Sequence, residues 1–310
     1  MPATPAPEPF DCLIIGGGPA GLTAAVYLAR FRRRLRLLDA GASRAAWIPR
    51  SHNLPGYPAG AAGEQLLQAL RDQLAVHGGQ VEAASVEGLR SDPSGFAALT
   101  GGAWITARTI LLATGVAEIA PPIPRLAEAI RRGEARVCPI CDGFEAQGQS
   151  VAVIGRGDHA AREALFLRTW SPKVSLVLDP EDSLPADMAH ALESRAVAVL
   201  RSTWDRVTLT ASTALIVNDA GETHRFDLLY SAFGITPRLE LVRDLAPDLD
   251  ADGRLVVDSH QQTSVAGLYA AGDIVRGLNQ IAVAEGEAAV AATAIHNRLP
   301  PNPCARETPA

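Results

Sequence analysis

The sequence predicts an α/β protein with two three-layer units, each a sheet sandwiched between helices. Three observations predict it. An apolar strand from Phe10 to Ile15 feeds Gly16-Gly17-Gly18-Pro19-Ala20-Gly21 and then a helical pattern from Leu22 to Arg30. The same order returns where Val151-Ala152-Val153-Ile154 enters Gly155-Arg156-Gly157-Asp158-His159-Ala160 and a helix running to about Trp170. At 310 residues the chain also exceeds the size at which one core keeps growing, so two domains are expected. Strand, glycine turn and helix in this order make each unit Rossmann-like and suited to a dinucleotide.

In the first unit each glycine has a separate task. Gly16 permits the tight turn, Gly18 lets the backbone approach a pyrophosphate, and Gly21 lets the helix pack on the sheet, while free N–H groups at the helix start face the anion. A second strand, Leu35 to Leu38, ends in Asp39, where a carboxylate can bind the ribose hydroxyls of an adenosine. The turn-rich loop Ser51 to Pro58 follows, in which His52 either faces a cofactor or caps the loop, and then an amphipathic helix from about Gly63 to Val76. Short β-like pieces fill Val81 to Thr106, and Thr109 to Gly115 reads as a buried parallel strand ending in a tight turn. Pro121-Pro122-Ile123-Pro124 cannot continue an element and marks a crossing between domains.

Next comes Cys138-Pro139-Ile140-Cys141-Asp142-Gly143. One Cys-x-x-Cys supplies only two of the four ligands of a structural zinc, and Cys12 and Cys304 lie far off in the sequence, so no metal site is expected. Pro139 suits the first position of a short helix, which puts Cys138 at an N-terminus that favours a thiolate. On the motif alone a buried reduced pair and a redox pair both stay open.

The second unit repeats the first, with Ala160 at the position of the packing glycine and a strand from Val174 to Leu178 ending in Asp179. Further strands are expected near Val197, from Arg206 to Val217 and from Leu228 to Ser231, before Phe233-Gly234-Ile235-Thr236-Pro237 crosses back. Gly267 to Asp273 reads as a strand ending in Gly272-Asp273, followed by Gln280 and an Ala/Glu-rich helix from about Ala284 to Asn297 that Pro300, Pro301 and Pro303 end.

Composition narrows the function classes. The formal charge is −6 and the arginines are scattered apart from Arg30, Arg32, Arg33 and Arg34, which leaves nucleic-acid binding without support. No apolar run approaches the roughly 20 residues that span a bilayer, and the N-terminal Pro/Ala segment from Met1 to Pro9, expected to be disordered, has no basic-then-apolar pattern. Four cysteines are too few for a secreted disulfide scaffold, which points to a reducing cytoplasm where a lone Cys-x-x-Cys is the more plausible as a catalytic pair.

With two fingerprints, a Cys-x-x-Cys between them and a strand ending in Gly-Asp before the last helix, the chain resembles the low-molecular-weight thioredoxin reductase family over nearly its whole length. The resemblance implies that the second Rossmann-like domain, 118–239 with the cysteines, is inserted into an FAD-binding domain of 1–117 and 240–310. It implies FAD on Gly16, Gly18, Gly21, Asp39, Gly272, Asp273 and Gln280, with Asn53 in a loop near the flavin. It also implies Cys141 facing the isoalloxazine, Cys138 exchanging with an external disulfide, and Asp142 as acid/base for the moving thiol. A nicotinamide dinucleotide would lie on Gly155, Gly157 and Asp179, the substrate would be a thioredoxin-like protein or small disulfide, and the protein would be a homodimer.

Three departures concern the electron source. Where NADPH-dependent members carry arginines, this chain has Leu178-Asp179-Pro180-Glu181-Asp182-Ser183, whose carboxylates repel a 2′-phosphate. NADPH is disfavoured and NADH stays possible. Arg156 and His159 could either cover or assist the anion site. Asn279 stands where the family has an arginine, Pro139 and Glu145 are unlike the commonest thioredoxin reductase pattern, and Cys-Pro-x-Cys resembles flavoprotein dithiol oxidases. The leading expectation is a disulfide oxidoreductase; its rivals are a dithiol oxidase passing electrons to oxygen and a non-catalytic flavin-binding redox sensor.

Overall fold

The computed structural model describes residues 8–210 and 213–302. Cys304, Pro303 and most of the N-terminal Pro/Ala segment lie outside the described residues. Two compact units are present. One takes the chain up to Ala46, Glu64–Val116 and the part from Pro237 onward; the other takes Trp47–Gly63 and Ala117–Thr236.

The first unit is built on a seven-stranded mixed sheet. Its parallel half runs Val81–Ala83, Leu35–Asp39, Phe10–Ile15, Ala103–Leu112, and the antiparallel half continues from Ala103–Leu112 to Gly95–Thr100 and Gly88–Asp92. Leu268–Ala270, from the far end of the chain, pairs in parallel with Ala103–Leu112. Leu13, Ile15, Leu38, Ile110, Leu112 and Leu268 form the core on one face. Helices Pro19–Arg30 and Ile281–Arg298 pack on each other through small residues, among them Ala24, Ala25, Ala288, Ala291 and Ala292, all fully buried. The Gly63–Val76 helix has the bounds that its apolar periodicity predicts.

The second unit has a five-stranded parallel sheet in the order Ala198–Arg201, Lys173–Leu178, Ser150–Gly155, Leu228–Ala232, Ala135–Arg136. The strand expected over Arg206 to Val217 is instead two strands, Val207–Leu209 and Ala214–Val217, that join Thr223–Phe226 in an antiparallel three-stranded sheet. Thr210 and Thr213 exchange side-chain and main-chain hydrogen bonds. The helix expected to reach Trp170 spans Gly157–Leu167, because the N–H groups of Arg168, Thr169 and Trp170 bond back three residues and tighten the end before Pro172. Helices Leu126–Arg132 and Ala186–Ser194 are additional.

The segment 47–63, which the sequence assigns to residues 1–117 of the expected flavin domain, clusters with the second unit. Trp47 packs against the second unit's cluster of Ile123, Leu126, Ile130 and Trp204. Ser51 and Ala61 exchange two main-chain hydrogen bonds of 2.8 Å, closing the loop on itself. The chain passes between the units along Val116–Glu118 and Ile235–Pro237, which pair as two strands.

Candidate active site

Pro139 occupies the first turn of the one-turn helix Pro139–Asp142, and Cys138 is its N-cap. That turn brings Cys138 and Cys141 to a Cα separation of 5.3 Å, and the two are joined as a disulfide. Cys141 N–H donates to the Cys138 carbonyl at 2.9 Å and Gly143 N–H to the Pro139 carbonyl at 2.8 Å. A side chain at Gly143 would run into the Trp170 ring, which explains the glycine after the aspartate. Asn53, in the 47–63 loop, donates its amide to the Ile140 carbonyl at 3.2 Å and accepts from Ser51 Oγ at 2.7 Å.

Asp142, next in the chain to Cys141, lies in a polar network with Tyr230 and Arg136 that the sequence does not disclose. Tyr230 Oη donates to Asp142 Oδ1 at 2.7 Å and lies 3.2 Å from the Asp142 carbonyl. Arg136 Nη1 donates to the same carbonyl at 2.6 Å and to Tyr230 Oη at 3.2 Å, while its Nε is 3.7 Å from Asp142 Oδ2. Burial pushes the Asp142 carboxyl up to about 6, against the lowering effects of Arg136 and Tyr230; Glu145 adds a small rise. Tyr230 is fully buried, and its phenol is pushed up by burial and by the Asp142 charge. One signal for this was present: a tyrosine inside the buried run Leu228–Ala232 needs a partner for its hydroxyl.

In the first unit Gly16 has φ +111° and a side chain there would strike the Ala113 carbonyl, while one at Gly21 would strike the carbonyl of Gly16. Gly18 caps helix Pro19–Arg30, whose first turn carries no acid and whose N-cap makes no side-chain hydrogen bond, the arrangement of a helix start that can receive an anion. Asp39 ends its strand at a cavity lined also by Gly41, Arg71, Val81, Ala83 and Ser85. Asp273 lies 3.4 Å from Arg44 Nη1, and burial raises its carboxyl despite Arg44 and Arg254. Gly272 N–H donates to Glu287 Oε2 at 2.8 Å. Gln280 caps helix Ile281–Arg298 and donates to the Asn279 carbonyl; Arg254 donates to Asn279 Oδ1 at 2.7 Å, so a guanidinium reaches a position where the sequence supplies only an amide.

The second unit repeats the cradle with changes. A side chain at Gly155 would strike the Ala232 carbonyl, and Gly157 has φ +52°. Arg156 caps helix Gly157–Leu167, on which Asp158 pairs with Arg162 at 2.6 Å and His159 lies 3.4 Å from Glu163. Asp179 Oδ1 accepts the Glu181 N–H at 3.1 Å. Arg201, at the end of the neighbouring strand, donates Nη1 to the carbonyls of Asp179 and Asp182 at 3.0 and 2.6 Å, a cation under the acidic loop that is not visible in the loop's own sequence.

The chain matches known proteins along nearly its whole length. The model of the family described as pyridine nucleotide-disulphide oxidoreductase matches residues 10–288. The chain belongs to that family. The thioredoxin reductase of Treponema pallidum is 31% identical, with 92% of this chain and 95% of the relative covered. That of Mycolicibacterium smegmatis is 30% identical over 86% of this chain and 88% of its own. Among solved structures, the thioredoxin reductase of Streptococcus pyogenes has a TM-score of 0.85 at 27% identity, covering 93% and 97% of the two chains. The crystal structure of HlmI has a TM-score of 0.85 at 28% identity, covering 93% and 92%. This disulfide oxidoreductase is therefore a thioredoxin reductase-like flavoprotein with two Rossmann-like domains.

The family implies FAD and a pyridine nucleotide, and the residues of the first unit fit the first of these. Gly16 and Gly21 leave no room for side chains, the helix start is bare of acids, and Asp39 borders a cavity at the end of its strand. In the second unit Gly155 leaves no room for a side chain and Gly157 has φ +52°, while the loop after strand Lys173–Leu178 carries Asp179, Glu181 and Asp182.

Proposed function

We propose that this disulfide oxidoreductase reduces a thioredoxin-like protein or a small disulfide through Cys138 and Cys141, with electrons from NADH in preference to NADPH. The observation that carries this reading is the half-buried Asp142 carboxyl, next in the chain to the Cys138–Cys141 disulfide, hydrogen-bonded by Tyr230 and raised toward neutrality by burial. FAD, on Gly16, Gly18, Gly21, Asp39, Gly272, Asp273 and Gln280, supplies the two-electron exchange between nucleotide and dithiol. Cys141 is the cysteine on the flavin side and Cys138 the one that meets substrate, and Asn53 holds the helix between them.

In the reduced protein the Cys138 thiolate attacks a substrate sulfur, so that an Sγ–S bond forms as the substrate S–S bond breaks. The departing sulfur leaves with the bond's electron pair and takes from Asp142 the proton that Cys138 gave up on ionising. Asp142 removes the proton from the Cys141 thiol, whose sulfur then attacks Cys138 Sγ, re-forms the disulfide and expels the second substrate sulfur. Across both steps the substrate gains two electrons and two protons, and the pair loses them. An acid that titrates near neutrality can take and return that proton in turn. The family supports a homodimer, and the sparse cysteines support a cytoplasmic setting.

A second reading is favoured by Pro139 and by the acidic loop from Asp179: a dithiol oxidase running from substrate dithiol through the protein to oxygen. Anaerobic mixing of the yellow protein with NADH, NADPH and dithiothreitol in turn separates the two. Bleaching by NADH supports the reductase; bleaching by dithiothreitol alone, with peroxide on re-aeration, establishes the oxidase. No turnover with any donor leaves only a flavin-binding sensor.

A further inference from the structure

We propose that Tyr230 and Arg136 are positioning residues that hold the Asp142 carboxyl in its proton-accepting form, with Oδ1 engaged and Oδ2 left as the oxygen that exchanges a proton with the thiols. This rests on the acid/base reading of Asp142 and adds to it the device that lets a half-buried acid do the work.

The two residues come from adjacent parallel strands and stand opposite each other in register. Their contacts form a directed chain. Arg136 Nη1 donates to Tyr230 Oη, and the single hydroxyl proton of Tyr230 is aimed at Asp142 Oδ1, with the Asp142 carbonyl beside it. A phenol that accepts from a guanidinium is polarised into a stronger donor, and inside a fully buried position that effect is not diluted by water. Arg136 also clamps the Asp142 carbonyl, so side chain and main chain of the same residue are fixed from one side. Oδ2 lies 3.7 Å from Arg136 Nε, beyond hydrogen-bond length.

Charge explains why the device is needed. Burial favours the neutral carboxylic acid, and Glu145 pushes the same way. A carboxyl left to burial alone would keep its proton at neutral pH and could not accept one from Cys141. Arg136 and Tyr230 favour the ionised form and bring it back to the range where both forms are populated. The phenol is itself raised well above its ordinary value, so it stays a donor throughout and never competes as a base. Among the described residues, the charged and titratable groups acting on Asp142 are Arg136, Tyr230 and Glu145.

The test uses the pre-reduced holoprotein and an excess of a chromogenic small disulfide, with single-turnover rates followed from pH 4.5 to 8.5. Wild type is expected to show an acid limb that Asp142→Asn removes. Tyr230→Phe is expected to keep the high-pH plateau within about twofold and to move the limb upward by about one pH unit, roughly a tenfold loss at a fixed acidic pH. Arg136→Gln should move it in the same direction, and Arg136→Lys should restore part of the shift. The rate of iodoacetamide alkylation of the reduced cysteines against pH gives the same comparison without turnover. A Tyr230→Phe limb that stays in place while all rates fall together overturns the inference. If Tyr230→Phe does not fold, an unmoved limb in Arg136→Gln overturns it equally. A limb that survives Asp142→Asn sinks the acid/base reading itself, whereas loss of the limb in Asp142→Asn with no shift in Tyr230→Phe sinks only the present proposal.

Discussion

Asn53 Nδ2 donates to the carbonyl of Ile140, between the two cysteines, at 3.2 Å. A loop more than eighty positions earlier in the chain therefore holds the centre of the redox helix. The bond is solvent-exposed, so its loss should cost about 0.5–1.5 kcal/mol and not more. Asn53→Ala is expected to leave the global melting temperature nearly unchanged while hydrogen exchange of the N–H groups of Ser51, Ala61 and Cys141 accelerates. Unchanged exchange at all three would show that the closed loop needs no such anchor.

Replacing the first two fingerprint glycines that matter should have different consequences. At Gly16 a methyl would strike the Ala113 carbonyl on a backbone with φ +111°, so Gly16→Ala should yield little folded protein. A methyl at Gly18 meets only Ser43 Oγ, at 3.3 Å. Gly18→Ala should fold, with near-native circular dichroism, yet purify with far less bound flavin, read from absorbance at visible wavelengths. Full flavin content in Gly18→Ala would remove Gly18 from the pyrophosphate site.

Asp142 should cost the fold stability at neutral pH. Its carboxyl titrates at about 6 in the folded protein against 3.8 ordinarily, and its side chain is 26% exposed. Between these values the folded state holds more protons than the unfolded chain, so stability falls as pH rises from about 4 to about 6 and then levels. The penalty is on the order of 2 kcal/mol after allowing for partial exposure. Asp142→Asn should therefore melt higher than wild type at pH 8, with the difference closing by pH 4, as scanning calorimetry of the oxidised protein would show.

The acidic loop makes a prediction about nucleotide choice. At an effective dielectric near 20, two like unit charges about 4 Å apart repel by roughly 4 kcal/mol. Titration calorimetry should give NADH at least tenfold tighter than NADPH, and Glu181→Arg should narrow the gap. Equal affinities for both nucleotides in wild type would mean that Arg201, already donating to the carbonyls of Asp179 and Asp182, offsets the loop's charge.

Trapping distinguishes the roles of the two cysteines. Cys141→Ser should retain a mixed disulfide between Cys138 and an added thioredoxin-like protein or small disulfide, visible as a mass increase that dithiothreitol reverses. Cys138→Ser should trap far less. Cys12 should stay unlabelled by alkylating agents in both, being fully buried with its thiol pushed up to about 12. Preferential trapping on Cys141 would exchange the two assignments.

What the sequence discloses about this molecule is local. The Phe10–Ile15 strand, the Gly63–Val76 helix and both glycine turns announce themselves within a dozen residues, because periodicity and turn chemistry are short-range signals. The helix start at Pro139 is legible for the same reason. What stays hidden depends on register. Tyr230 and Arg136 meet only because Leu228–Ala232 pairs with the edge strand Ala135–Arg136, and nothing near either residue specifies that pairing. Loop 47–63 follows the first fingerprint in sequence and packs with the second, since Trp47 finds its apolar partners there. Helix Ala186–Ser194 is short, capped by no side chain, and buries only Met188 and Leu192.

The pairing of Leu268–Ala270 with Ala103–Leu112 also bears on how the polypeptide is made. The unit whose strands leave the ribosome first lacks one strand and the helix Ile281–Arg298 until nearly the whole chain has been synthesised. The five-stranded sheet, in contrast, is complete once Ala232 has emerged. At elongation rates of about 5–20 residues per second, several seconds separate these two points. During that interval the redox disulfide motif can assume its native surroundings while the nucleotide cradle begun at Gly16 still waits for its last strand, so vectorial synthesis inverts the order in which the two units start.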